Sequence, residues 1–101
     1  QIKIALEFKE PTVKTYYFEI ASDTSKKIRS GDKSVDLTVK FVEDKIQKRL
    51  KLDVNGHFET METDKLLFTR RINNKVSEGN NYVRIEPLED VEVAELRIEI
   101  V

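Results

Sequence analysis

Apolar side chains recur at every second position through most of the chain, the spacing that sets them on one face of an extended strand. Ile2, Ile4, Leu6 and Phe8 predict a first strand that ends at Glu10-Pro11. From Val13 to Ile20 a second strand places Tyr16, Phe18 and Ile20 on one face and Thr15, Tyr17 and Glu19 on the other. Val35, Leu37, Val39 and Phe41 alternate strictly with Asp36, Thr38 and Lys40, as a half-buried strand requires. After the polar turn Glu43-Asp44-Lys45, Leu50, Leu52 and Val54 alternate with Lys51 and Asp53 and run into Asn55-Gly56. That pair accepts positive φ at both central turn positions and so predicts a tight hairpin, with Phe58 and Thr60 leading out of it. Further strands are predicted at Leu66 to Ile72, at Tyr82 to Glu86 before Pro87, and at Leu96, Ile98 and Ile100, with a turn at Ser77-Glu78-Gly79-Asn80.

Two stretches depart from this rhythm. Ala21 to Ser34 is polar, and the expectation there is a crossing loop, plain or with one short helical turn around Ile28. Near the end, Val91 and Val93 hold one phase while Leu96, Ile98 and Ile100 hold the other, so a bulge or a change of sheet is needed between Val93 and Leu96 to keep both sets inward. Seven or eight short strands with regular turn signals predict an all-β fold, an antiparallel β-sandwich of jelly-roll or immunoglobulin-like type. The whole of residues 1–101 is expected to form one domain, with no internal repeat or linker.

Composition supports the strand assignment. Three Ala stand beside ten Val, nine Ile and seven Thr, whose branching at Cβ suits a pleated strand better than a helix. The twelve Lys, twelve Glu and single Met also resemble thermophile usage. The absence of Cys removes disulfides and thiolate metal sites, and one His cannot supply an all-histidine centre. A net charge of −1 offers no basic face for phosphate, so no nucleic-acid partner is expected. No stretch approaches the run of about 18 apolar residues of a membrane span. The chain begins at Gln1 with alternation already under way at Ile2, from which we expect a fragment of a longer protein, an upstream segment, and an extracytoplasmic or cell-surface setting in which any membrane contact comes through that segment.

Candidate chemistry is sparse. His57 follows the predicted turn with no nucleophile or orienting carboxylate fixed near it by the sequence, so it is taken as an exposed hairpin residue and no catalytic residue is assigned. Carboxylates gather at Glu59/Glu62/Asp64, at Glu86/Glu89/Asp90/Glu92 and across Asp23 to Asp32, but none has the spacing of a calcium loop, so solvated charge is the expected role and no metal or cofactor is assigned. The aromatics are more informative. Tyr16 and Tyr17 are adjacent in a strand, so one must face away from the core, where Tyr82, Phe58 or Phe68 can join it; such exposed rings suit a sugar- or protein-binding face. Tyr16, Tyr17 and Tyr82 are therefore the candidate ligand-binding residues. Ile2 to Phe8 and Leu96 to Val101 are candidate edge strands through which a neighbouring subunit could pair.

From about Arg49 onward, Leu50-x-Leu52-x-Val54-Asn55-Gly56 followed by Gly79-Asn80-Asn81-Tyr82-Val83-Arg84-Ile85 resembles the galactose-binding-like jelly rolls attached to many glycoside hydrolases, and similar strand patterns occur in immunoglobulin-like surface domains. The resemblance implies a sandwich and transfers no binding residue, because both motifs are turns. Together these features lead us to expect a non-catalytic module of a larger or membrane-anchored extracytoplasmic protein, acting in adhesion, assembly or protein recognition through an edge strand; the alternative is a carbohydrate-binding accessory domain with a glycan partner.

Overall fold

The computed structural model describes residues 14–88 and 91–101. The strand expected at Ile2 to Phe8 and the Glu89-Asp90 pair lie outside them. The described residues form seven strands: β1 (Lys14–Ile20), β2 (Val35–Phe41), β3 (Lys48–Val54), β4 (His57–Thr63), β5 (Leu67–Arg71), β6 (Gly79–Pro87) and β7 (Val93–Ile100). They form two sheets, ordered β1-β6-β3-β4 and β5-β2-β7, with every pairing antiparallel. Among these strands only the β3–β4 hairpin joins consecutive strands within one sheet; every other connection passes to the opposite sheet. This is the all-β sandwich that the alternation predicts.

The inward phases meet as expected. Phe18 and Ile20, Leu50 to Val54 in alternation, Met61, Val83 and Ile85 from the first sheet pack against Val35 to Phe41 in alternation, Val93, Leu96, Ile98 and Ile100 from the second. Tyr16 and Phe68 lie partly buried against this core. The switch of phase near the C-terminus is resolved by an extra residue. Lys40 pairs with Glu95 and Phe41 with Val93, leaving Ala94 without a partner, so Val93 and Leu96 both turn inward despite their opposite phases.

Asn55 and Gly56 both have positive φ, 52° and 90°, and Val54 pairs directly with His57, as the two-residue turn requires. The Asn55 side chain does more than tolerate the turn. Its amide donates to the Lys75 carbonyl and to Asn81 Oδ1, each at 2.8 Å, while its own oxygen accepts from the Tyr82 amide at 2.9 Å. Asn81, 2% exposed, also accepts from the Ser77 amide and donates to the carbonyls of Ser77 and Gly79. The hairpin tip is thereby fixed to the start of β6.

Of the two expectations for Ala21 to Ser34, a plain loop or one with a short helical turn around Ile28, the second is nearer, but the helix, α1 (Ser22–Ser30), is longer than one turn. Gly31 ends it at φ 89°, with backbone donors from Gly31 and Asp32 returning to the carbonyls of Ile28 and Lys27. Asp23 in its first turn and Lys27 and Arg29 in its last oppose the helix dipole. Ile28 is its apolar anchor, and a single anchor in nine residues leaves no periodic stripe to read. A short 3-10 turn, Asn73–Lys75, links β5 to β6.

Lys48 stands at an inward position of β3 and is 3% exposed. Its ammonium donates to the carbonyls of Glu43 and Ile46, both at 2.8 Å, and lies 5.0 Å from the centroid of the Phe41 ring. A cation that would otherwise be left without water thus secures the loop between β2 and β3. No helix among the described residues is long and apolar enough to cross a membrane.

Candidate ligand-binding face

Strand alternation leaves Thr15, Tyr17 and Glu19 of β1, Tyr82, Arg84 and Glu86 of β6, Lys51 and Asp53 of β3, and Phe58 and Thr60 of β4 on the outer phase of the four-stranded sheet. Register then decides which of them meet. Tyr17 is directly opposite Tyr82, with ring centroids 6.4 Å apart and planes inclined at 51°. In the neighbouring row Thr15, Arg84, Asp53 and Phe58 follow one another across all four strands. Three strand spacings of about 4.8 Å make this row roughly 14 Å long.

Exposure separates the roles. Tyr17 is 76% exposed and Phe58 65%, large apolar surfaces held at the two outer strands of the sheet. Lys51 places its ammonium 5.4 Å from the Phe58 ring centroid. Between them Asp53 is 6% exposed, although it sits on the outer phase, because its carboxylate is covered by its partners. Oδ1 accepts from the Gly56 amide at 2.7 Å, and the Tyr82 hydroxyl approaches Oδ2 at 3.1 Å and Oδ1 at 3.3 Å. Desolvation, the hydrogen bond to Asp53 and the negative charge of that carboxylate together raise the Tyr82 pKa above its ordinary value. Tyr82 is thus a fixed phenol that orients the face, whereas Tyr17 is a free ring.

The third candidate, Tyr16, falls on the opposite side of the sheet. It shares the phase of Phe18 and Ile20 and packs against the core, and burial raises its pKa. The structure therefore brings Tyr17 and Tyr82 together and separates Tyr16 from them. Phe58 joins the outer face and Phe68 does not. Asp53 and Arg84 were not singled out by sequence. Their outward phase was visible from Leu52, Val54, Val83 and Ile85, but their adjacency depends on the β3–β6 register, which joins segments about thirty residues apart.

Lys51 stands opposite Glu86 and Asp53 opposite Arg84, so the charges of these four residues cancel. These residues and Phe58 border a depression of about 30 Å³, room for about one water. It is an open surface rather than an enclosed pocket. His57 is exposed at the hairpin, and Asp23 and Asp32 are separated by α1. Among the described residues no group of three or more acidic, His or Cys side chains is placed to hold a metal ion.

The outer phase of the other sheet carries charge instead of rings. Arg97 lies between Glu95, at 2.5 Å, and Glu99, at 3.2 Å, Arg71 pairs with Asp36 at 3.1 Å, and the hydroxyls of Thr38 and Thr69 are 3.1 Å apart. At the margin between the sheets, Glu59 of β4 meets Arg70 of β5 at 2.6 Å and Lys75 at 3.8 Å. An inward-facing charge there guards the β4 edge against pairing with another chain. Of the two expected edge strands, Ile2 to Phe8 lies outside the described residues, while β7 pairs with β2 on one side and, among the described residues, is the last strand of its sheet.

No protein-family model matches the chain, and no curated protein matches it. Solved structures share its fold. A ruminal GH26 endo-β-1,4-mannanase superposes on 91% of this chain and 18% of its own length, with a TM-score of 0.59 and 14% identity. The CBM35 of Abf62 from Cellvibrio japonicus, a carbohydrate-binding module, superposes on 92% of this chain and 70% of its own, with a TM-score of 0.57 and 11% identity. A latent aurone synthase, a polyphenol oxidase, superposes on 99% of this chain and 24% of its own, with a TM-score of 0.50 and 14% identity. The chain spans less than two thirds of the mannanase and of the aurone synthase. At these identities the likeness is one of fold, the jelly-roll-like sandwich that the turns at Asn55-Gly56 and Gly79 to Tyr82 imply.

Proposed function

We propose that this domain is a non-catalytic module that binds a neutral glycan along the outer face of the four-stranded sheet. The observation that carries the reading is the aromatic pair Tyr17–Tyr82, set beside the balanced Asp53–Arg84 pair with Phe58 at the far strand. A sugar ring has C–H faces that lie on aromatic surface and hydroxyls that bridge to charged or polar neighbours, and the face offers both. Its openness suits a chain of sugars lying across the strands better than a small molecule enclosed by protein. The fold likeness to a carbohydrate-binding module supports the same choice over adhesion or assembly through an edge strand. On this reading the module belongs to a longer extracytoplasmic protein and brings it to polymeric carbohydrate.

Calorimetric titration with the hexasaccharides of β-1,4-mannan, cellulose and β-1,4-xylan tests it. Binding of at least one that is lost in Tyr17→Ala supports the glycan reading, and no heat from any of them overturns it for this ligand class.

A further inference from the structure

Asn55-Gly56 is the one Asn-Gly step in the chain. Such a step is chemically fragile in an open chain, because no side chain on the Gly hinders its backbone nitrogen. That nitrogen loses its proton, attacks Asn55 Cγ and expels the side-chain NH₂ as ammonia, closing a five-membered succinimide. Water then opens the ring at either carbonyl. One product has an aspartate in place of Asn55; the other is an isoaspartyl link that carries the backbone through Cβ. Water enters and ammonia leaves, with no oxidant or reductant.

The folded hairpin restrains each participant in that reaction. The Gly56 amide donates to Asp53 Oδ1 at 2.7 Å, and the negative charge beside it opposes loss of the amide proton. The Asn55 carboxamide is fixed on both sides: its NH₂ donates to the Lys75 carbonyl and to Asn81 Oδ1, each at 2.8 Å, and its oxygen accepts the Tyr82 amide at 2.9 Å. The Asn55 backbone amide also donates to the Tyr82 carbonyl, at 3.3 Å. To close the ring, the carboxamide has to leave these partners and turn toward Gly56.

The products do not fit the same place. An aspartate at position 55 would set a carboxylate oxygen against the Lys75 carbonyl and Asn81 Oδ1, which are both acceptors. Asn81 cannot flip to answer it, because its own NH₂ is committed to the carbonyls of Ser77 and Gly79. The isoaspartyl form adds a backbone atom to a two-residue turn that sets Val54 opposite His57. Asp53 and Phe58 pair across the same hairpin, so the damage falls on the outer sheet face.

We propose that Asn55-Gly56 is a latent deamidation site, closed while the hairpin tip is bonded to the start of β6 and opened when that contact separates. The inference involves no ligand and stands apart from the glycan reading.

The test incubates the full chain and a synthetic peptide spanning Lys51 to Glu59 side by side at mildly alkaline pH. Mass spectrometry of the tryptic peptide from Leu52 to Lys65 follows replacement of NH₂ by OH, and an isoaspartyl-specific methyl-transfer assay follows the second product. The folded chain is expected to convert at Asn55 at least about tenfold more slowly than the peptide, because conversion waits on local opening. Asn81→Ala removes one acceptor of the Asn55 NH₂ and is expected to speed both conversion and hydrogen exchange of the Tyr82 amide. Guanidinium chloride below the unfolding transition is expected to raise the same two rates in parallel in the wild type, a comparison that holds even where Asn81→Ala fails to fold. Conversion of the folded chain at the rate of the peptide overturns the proposal. So does a folded Asn81→Ala that converts no faster than the wild type, or a Tyr82 amide that exchanges faster in denaturant while conversion at Asn55 stays constant.

Discussion

The Tyr82 hydroxyl lies 3.1 Å from Asp53 Oδ2, and the other oxygen of that carboxylate accepts the amide of Gly56 at 2.7 Å. One buried acid thus connects the centre of the sheet face to the hairpin turn. The sign of its pH effect follows. The Tyr82 pKa is raised above the ordinary 10.0 by desolvation first and by Asp53 second, so the folded state holds the phenolic proton more tightly than the unfolded chain. The resulting stabilisation is complete below the unfolded value and is lost as pH rises through the folded one. Asp53→Asn removes the negative charge and should lower the Tyr82 pKa toward its ordinary value. Carbon-13 titration of the Tyr82 Cζ in both proteins checks this, and an unchanged titration in Asp53→Asn contradicts it.

Asn55 is legible from sequence as a turn residue, but its amide group also reaches Lys75, Asn81 and Tyr82. Asn55→Gly separates the two roles, because Gly accepts the positive φ freely and loses every side-chain hydrogen bond. If conformation were its whole contribution, the variant would be neutral. We expect a loss of about 2–3 kcal/mol, since Asn81 Oδ1 and the Tyr82 amide lose partners in a partly buried setting. Denaturant unfolding of the two proteins decides between these outcomes.

Ala94 is the unpaired residue that lets Val93 and Leu96 both face the core. Deleting it gives Val91, Val93, Leu96, Ile98 and Ile100 one common phase, so a regular ladder on β2 keeps both sets inward and little stability should be lost. Deleting Arg97 instead puts Ile98 and Ile100 out of phase with Leu96, and the expected loss is above about 4 kcal/mol, enough to unfold many small domains. Ala94→Gly keeps the extra residue and should cost about 1 kcal/mol or less. An Ala94 deletion that unfolds the protein as the Arg97 deletion does would contradict the bulge.

What could be read in the chain follows from how local each feature is. Alternation is a property of a single strand, so the inward phases of β1, β2, β3 and β6 and the need for a bulge near Ala94 were visible without neighbours. The Asn55-Gly56 turn was visible because its backbone demand rests on two adjacent residues. α1 was visible only as one of two readings, a short turn around Ile28, because Ile28 is its one apolar residue and its stop signal, Gly31, lay inside a polar run. The binding face was half visible. Tyr17 and Tyr82 stood out as aromatics, and the phase of Tyr16 beside Phe18 already set it inward. That Tyr17 meets Tyr82, and that Asp53 and Arg84 complete the face, depends on pairings between strands that are distant in sequence because nearly every connection changes sheet.

The most direct measurement is the affinity of the wild type, Tyr17→Ala and Tyr16→Phe for the hexasaccharide that binds best in calorimetry. Tyr17 is exposed, so its truncation should leave the thermal midpoint unchanged while weakening binding by about tenfold or more. Tyr16→Phe, on the core side, should leave affinity unchanged. Equal affinities for the wild type and Tyr17→Ala would contradict the assignment of the outer sheet face as the glycan-binding surface.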